Sequence, residues 1–291
     1  MKKITHAVIP VAGFGTRMLP LSKSVPKELL PLGNRPAIHY VVEEAIAAGI
    51  KHIVLVGHAQ KNAIDNYFDI NAELDHQLRA KGKDELADSL NWLPDDVSIS
   101  MIRQGKALGL GHAVLAARPI IGNNDFAVLL PDVVLDPFTT ELRRDNLAFM
   151  LTTFANDGHS QILVEQVADN QVHKYGIARL IDNNTEINDQ TDTNHSFKVA
   201  GFVEKPTLNE APSRLAVVGR YVFSNQIFDY LANTEASVGG EIQLTDAIDA
   251  LTSEHGVNVT TMRGESYDAG DMRSYMQAFI YFAEQQLAST Q

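Results

Sequence analysis

Cysteine is absent from this chain. Disulfides and thiolate metal sites are therefore excluded, and the composition suits a reducing compartment. Tryptophan occurs once, and no apolar run reaches the roughly 20 residues that a membrane-spanning helix needs. Positive charge is scarce: 24 lysines and arginines stand against 36 aspartates and glutamates, a net charge of −12. A field of that sign argues against general binding to nucleic acid or to an anionic membrane. Lys2-Lys3 ahead of an apolar stretch imitates a secretion signal, but His6 and Pro10 interrupt it. A cytoplasmic location is the expectation. The ten histidines form no metal-spaced cluster.

What is present is a chain with 45% hydrophobic residues, enough for a sizeable core. Ile4, Ala7, Val8, Ile9 and Val11 read as a buried strand. Pro36 stands where a first-turn helix proline belongs, and Ile38, Val41, Val42, Ala45 and Ile46 repeat with helical spacing up to a stop at Gly49. His52–Val56 reads as the next strand, so the order is that of a βαβ unit in a parallel sheet. Strands are expected over 97–103, 126–130 and 160–167, with helices after Gly111 and over 145–156. Residues 60–92 read as helical and charged, with Leu74, Leu78, Leu86, Leu90 and Trp92 turned inward. The later chain reads as strands over 175–181, 197–203, 215–223 and 257–262, and helices over 226–231, 243–254 and 270–287. Asp182–Ser196 is a polar surface excursion.

The loop after the first strand reverses the sign of the chain. From Arg17 to Arg35 there are four basic residues and a single acid, Glu28. Gly13 and Gly15 let backbone N–H groups approach a ligand, and such clusters bind anions. A polyphosphate accounts for the combination. A dinucleotide fingerprint is excluded because Met18 stands at its third glycine, and a P-loop because no Gly-Lys-Ser/Thr follows.

The string Gly13-Phe-Gly-Thr-Arg17, followed by Pro26-Lys-Glu-Leu-Leu-Pro31-Leu32, resembles the signature of the sugar-nucleotide pyrophosphorylases. These nucleotidyltransferases join a sugar 1-phosphate to a nucleoside triphosphate. The resemblance, spread over nearly the whole chain, implies an α/β fold with a Rossmann-like, doubly wound mixed sheet flanked by helices. It implies one nucleotidyltransferase domain over 1–291, with 1–170 mainly binding nucleotide and 171–291 mainly binding sugar and supplying a C-terminal helix. Arg17 and Lys27 would hold the triphosphate and stabilise the transferring group, and Ala12, Gly13, Gly15, Thr16, Gln104 and Gly109 would bind the nucleotide. Phe202-Val-Glu-Lys-Pro206 matches the element in which Glu204 would hold sugar hydroxyls and Lys205 the sugar phosphate, with Tyr175 and Gly176 alongside. Asp132, after Leu130-Pro131, and Asp268, in Tyr267-Asp-Ala-Gly270, match the places that hold Mg2+, although Asp271 competes with Asp268 for that assignment.

Within the family, Leu130-Pro-Asp-Val133 and Gly240-Glu-Ile-Gln-Leu-Thr-Asp246 imply UTP and glucose 1-phosphate as substrates, and UDP-glucose and pyrophosphate as products. A thymidylyl or adenylyl preference is the alternative. No nucleic acid or membrane partner is expected, and a homo-oligomer is. Gln104 offers an amide donor and acceptor to a base edge, with no aromatic cluster beside it for stacking.

Overall fold

The apolar runs of the early chain lie side by side in the middle of one large sheet. The computed structural model describes residues 3–181, 194–237 and 239–289, so most of the polar run Asp182–Ser196 lies outside the described residues. In chain order the strands are β1 (His6–Pro10), β2 (Pro31–Leu32), β3 (Arg35–Pro36), β4 (His52–Gly57), β5 (Ser98–Arg103), β6 (Phe126–Leu129) and β7 (Val133–Leu135), then β8 (Ser160–Gln166), β9 (Gly176–Leu180), β10 (Ser196–Glu204), β11 (Leu215–Phe223), β12 (Val257–Thr261) and β13 (Ser266–Asp268). Nine of them form the sheet in the order β5-β4-β1-β6-β11-β8-β12-β10-β9. The first four neighbours pair in parallel, whereas β11 runs antiparallel to both β6 and β8. This is the doubly wound mixed sheet expected from the sequence.

Alternation along each strand sends successive side chains to opposite faces. Ala7, Ile9, Ile53 and Leu55 therefore join one apolar cluster, with Ile38, Val41 and Val42 of helix Ala37–Ala47 and Phe282 of helix Met272–Ser289. Val8, Val54, Val56 and Val128 face the other way, toward helices Gly109–Ala116, Ile227–Asn233 and Leu244–His255. Both faces are covered, which suits strands that read as unbroken apolar runs rather than alternating ones.

One expectation fails. In the two helices Ala72–Ala80 and Asp84–Leu90, Leu74 is 39% and Leu86 53% exposed. This helical pair packs largely on itself, outside both clusters, so helical spacing alone misassigned its leucines. Trp92 does pack against the core, its ring 3.9 Å from that of His39.

His39 is itself buried and shares a 2.8 Å hydrogen bond with the Tyr67 hydroxyl. Burial, assisted by the Arg35 charge, lowers its pKa from 6.5 to about 4. The unfolded chain therefore takes up this proton first, and His39 contributes stability above pH 6.5 that is lost as pH falls toward 4. Between pH 7 and pH 5 the loss amounts to about 2 kcal/mol. His39→Phe should shrink the difference in unfolding free energy between those two pH values by that amount. An undiminished difference in urea titrations of the variant would assign the acid sensitivity elsewhere.

Candidate active site

The loops that leave β1, β5 and β6 all emerge at the carboxyl edge of the parallel strands, where open α/β sheets bind ligands. The first loop is pinned by Val11 N–H donating to the Val56 carbonyl at 2.8 Å. It turns at Gly15, whose φ of 66° belongs to the left-handed region, and Ser22 Oγ donates to the Gly15 carbonyl at 2.7 Å. The chain then returns through Pro26 so that Lys27, at the head of the turn Lys27–Leu29, points back into the cavity that this loop lines. Of the basic residues expected there, Arg35 is instead engaged with Glu43 on the surface.

Lys27 Nζ meets Asp132 Oδ2 at 2.5 Å, across 105 residues of sequence. Burial works against the Lys27 charge, but the Asp132 carboxylate, aided by Glu28, outweighs it and the lysine pKa is raised. Asp132 answers in kind: burial would raise its pKa, and the Lys27 ammonium overrides that and holds it low. Asp268 faces the same spot. A methyl added to Gly270 would lie 2.8 Å from Asp268 Oδ1, 2.9 Å from an Arg17 nitrogen and 3.3 Å from Asp132 Oδ2. The three groups therefore converge. Burial, reinforced by the neighbouring Asp132 charge, raises the Asp268 pKa despite a hydrogen bond from Gly270 N–H and the Arg17 charge. β7 and β13 set this geometry, because their antiparallel register places Val133 opposite Asp268. Asp271 is engaged elsewhere, accepting from the N–H groups of Arg273 and Ser274 at the start of helix Met272–Ser289.

Beside this cluster lies a cavity of about 480 Å³. Ala12, Gly13, Thr16, Arg17, Lys27, Gln104, Gly109 and Asp132 line it, as expected of them. Gln104 Nε2 donates to the Gly109 carbonyl at 3.0 Å and lies 3.1 Å from His112 Nδ1. The amide nitrogen is thus used inside the protein, and the carboxamide oxygen has no hydrogen-bond partner among the described residues. Gly109 adopts φ 91°, and a Cβ there would sit 2.9 Å from the Ile242 carbonyl. The chain at 241–242 crosses this loop at backbone distance, with Ile242 N–H donating to the Leu108 carbonyl and Gly111 N–H to the Ile242 carbonyl.

Phe14, Glu241 and Glu28 also line the cavity, although none was among the expected site residues. Phe14, 60% exposed, stands at the cavity with its ring 5.1 Å from that of His58, so an aromatic surface is present after all. Glu241 lines it from the late chain. Glu28 is 1% exposed and accepts from Lys61 Nζ at 2.7 Å, while its other oxygen, Oε1, is buried without a hydrogen-bond partner among the described residues. Glu28 stands inside the Pro26–Pro31 string, and its position beside Lys27 was the available signal.

The residues expected to meet the sugar, Tyr175, Gly176, Glu204 and Lys205, do not line this cavity and instead cluster where β9 meets β10. Glu204 Oε2 accepts from Thr245 Oγ1 at 2.6 Å, and Lys205 Nζ lies 3.1 Å from Glu204 Oε1. Lys205 has a positive φ of 44°, and its N–H donates to the Tyr175 carbonyl at 3.0 Å. Gly176 pairs with Glu204 where β9 meets β10. Tyr221 is buried, and burial raises its pKa, with the Glu204 and Asp132 charges adding to the shift.

Residues 6–285 match the nucleotidyl transferase family. The chain is 50% identical to the UTP–glucose-1-phosphate uridylyltransferase of Haemophilus influenzae over 277 residues, 95% of this chain and 92% of that one. It is 49% identical to the enzyme of the same name from Escherichia coli strain K12 over 281 residues, 96% and 90% of the two chains. Among solved structures, a UTP-bound UGPase from Acinetobacter baumannii superposes with a TM-score of 0.86 at 42% identity, covering 96% of this chain and 93% of that one. A UDP-glucose pyrophosphorylase complexed with UDP-glucose gives 0.82 at 31% identity, covering 97% and 99%.

Proposed function

Since the chain belongs to the nucleotidyl transferase family, we propose that it transfers a uridylyl group from UTP to glucose 1-phosphate, giving UDP-glucose and pyrophosphate. The observation that carries this reading is the convergence of Lys27, Arg17, Asp132 and Asp268 beside a cavity of about 480 Å³. The sugar phosphate is already an anionic nucleophile, so no activating base is required. One of its oxygens forms a bond to the α-phosphorus of UTP as the bond from that phosphorus to the bridging oxygen of pyrophosphate breaks. Lys27 exchanges Asp132 for the triphosphate, and Arg17 adds a second positive charge to the same place. Catalysis is then positioning and charge neutralisation. Glu204 accepts from sugar hydroxyls and Lys205 meets the sugar phosphate, with Tyr175 and Gly176 alongside. Residues 1–291 act as one nucleotidyltransferase unit, working in the cytoplasm as a homo-oligomer.

The residues also fit a divalent cation. Among the described residues no three His, Cys, Asp or Glu side chains gather as a cage. Two carboxylates do converge; burial, with the Asp132 charge adding to it, raises the Asp268 pKa. One or two carboxylates completed by phosphate oxygens is the arrangement Mg2+ favours. Asp132 and Asp268 would hold Mg2+, which when bound supplies further charge neutralisation at the phosphate oxygens.

The test is a matrix of UTP, CTP, dTTP and ATP against several sugar 1-phosphates, scored by pyrophosphate release. Failure of the UTP and glucose 1-phosphate pair would refute the reading. Base selection rests on Gln104. With its nitrogen engaged inward, its oxygen accepts the imide N–H of uracil, whereas cytosine presents a lone pair at that place. Gln104→Ala should lower kcat/KM for UTP by about ten- to a hundredfold and narrow the gap to CTP. The KM for glucose 1-phosphate should stay near wild type. A UTP-to-CTP ratio equal to that of wild type would mean that the base is read by other groups.

A further inference from the structure

We propose that Arg220 and Glu44, buried beneath the site, are positioning residues that hold the Asp132 turn from below. This rests on the reading of Asp132 given above. Arg220 lies on β11 opposite Leu129 of β6 and has no exposed surface. Alternation sets it between Val218 and Val222, both members of the apolar cluster that includes helix Ala37–Ala47. From that helix Glu44 reaches it: Nε lies 3.0 Å from both Glu44 oxygens and Nη2 donates to Oε2 at 2.8 Å.

The remaining donors go elsewhere. Nη2 also donates to the Val133 carbonyl at 2.8 Å, and Nη1 to the Leu130 carbonyl at 3.1 Å and the Gly219 carbonyl at 3.3 Å. All five guanidinium N–H groups are thereby accounted for. Leu130 and Val133 bracket Pro131-Asp132, so one rigid fork grips the turn on both sides of the aspartate. The turn's own closing contact, Val133 N–H to the Leu130 carbonyl, is a long 3.4 Å. Above the fork, the Asp132 carbonyl accepts from the Ala269 N–H at 2.7 Å, and its carboxylate accepts from Lys27.

A buried ion pair is poor evidence of stabilisation, because well-packed apolar residues of similar volume often serve as well or better. No apolar pair can donate to two carbonyls. The pair therefore does for the turn what an outer shell of hydrogen bonds does for a metal ligand, fixing its direction.

The decisive protein is the double variant Glu44→Leu/Arg220→Met, which leaves no unpaired buried charge. Wild type is assayed alongside: an inactive wild type would count against the proposed function, whereas the inference is judged by the difference between the two proteins. The expected result is a folded protein with kcat reduced by roughly ten- to a hundredfold and KM values for UTP and glucose 1-phosphate within about threefold of wild type. Mn2+ affinity, measured by EPR in the absence of sugar phosphate, should weaken by roughly tenfold. Arg220→Lys, which keeps the charge but loses the fork, should fold and show the same pattern. A double variant that fails to fold makes the pair a stability element and overturns the proposal. So does a folded one with wild-type kcat and Mn2+ affinity, or an Arg220→Lys variant indistinguishable from wild type.

Discussion

Lys27→Ala is expected to lower kcat by about a hundred- to a thousandfold, the usual effect of removing one electrostatic stabiliser from a transition state. The side chain meets Asp132 at 2.5 Å from within the cavity that Arg17 also lines, so its charge stands where the triphosphate would lie. The fold should survive: the Asp132 side chain retains 22% exposure, enough for water to solvate the carboxylate left behind. Lys27→Arg should recover little, because a planar fork does not replace a compact ammonium in a fitted contact. Steady-state kinetics with a melting curve on the same preparation decides the matter. Near-wild-type turnover in a folded Lys27→Ala protein would remove Lys27 from the mechanism.

Glu44→Ala should be the most damaging single substitution for stability, at about 3–5 kcal/mol, because it strands the wholly buried Arg220 guanidinium without its counter-charge. With roughly 2–4 °C lost per kcal/mol in large chains, the melting temperature should fall by on the order of 10 °C. Glu43→Ala, one residue away on the same helix, is the control. Glu43 pairs with Arg35 on the surface, both side chains more than two-fifths exposed, and its loss should change little. Equal melting temperatures for the two variants would show that Glu44 is not compensating a buried charge.

Much of the fold was legible because its signals are local. The span of β11 was read to the residue, and the parallel start of the sheet followed from the order of strand, helix and strand. Leu74 and Leu86 misled because helical spacing reports a face without saying whether anything packs on it. The contacts among the expected site residues were not legible, since Lys27 and Asp132 are 105 positions apart. Arg220 had a partial signal: a strict period of two sets it between Val218 and Val222, an anomaly that asks for a partner. Nothing in the sequence points to Glu44, 176 positions earlier, as that partner. That Asp271 accepts from the first N–H groups of the last helix, while Asp268 turns toward Asp132, was not legible from their spacing.

The place of β11 has a consequence for biosynthesis. It lies between β6 and β8, both of which precede it in the chain. A ribosome adding roughly 5–20 residues per second releases β6 and β8 several seconds before the strand that must separate them. Throughout that interval each carries an unpaired edge, and such edges recruit wrong partners. The apolar faces of β6 add to the hazard, since every residue from Phe126 to Leu129 is destined to be buried. Translation slowed between Gln166 and Phe223 would lengthen the exposure, and holdase chaperones on the nascent chain would be needed most there. The Asp132 turn, although synthesised early, gains its guanidinium support only after Arg220 has left the exit tunnel.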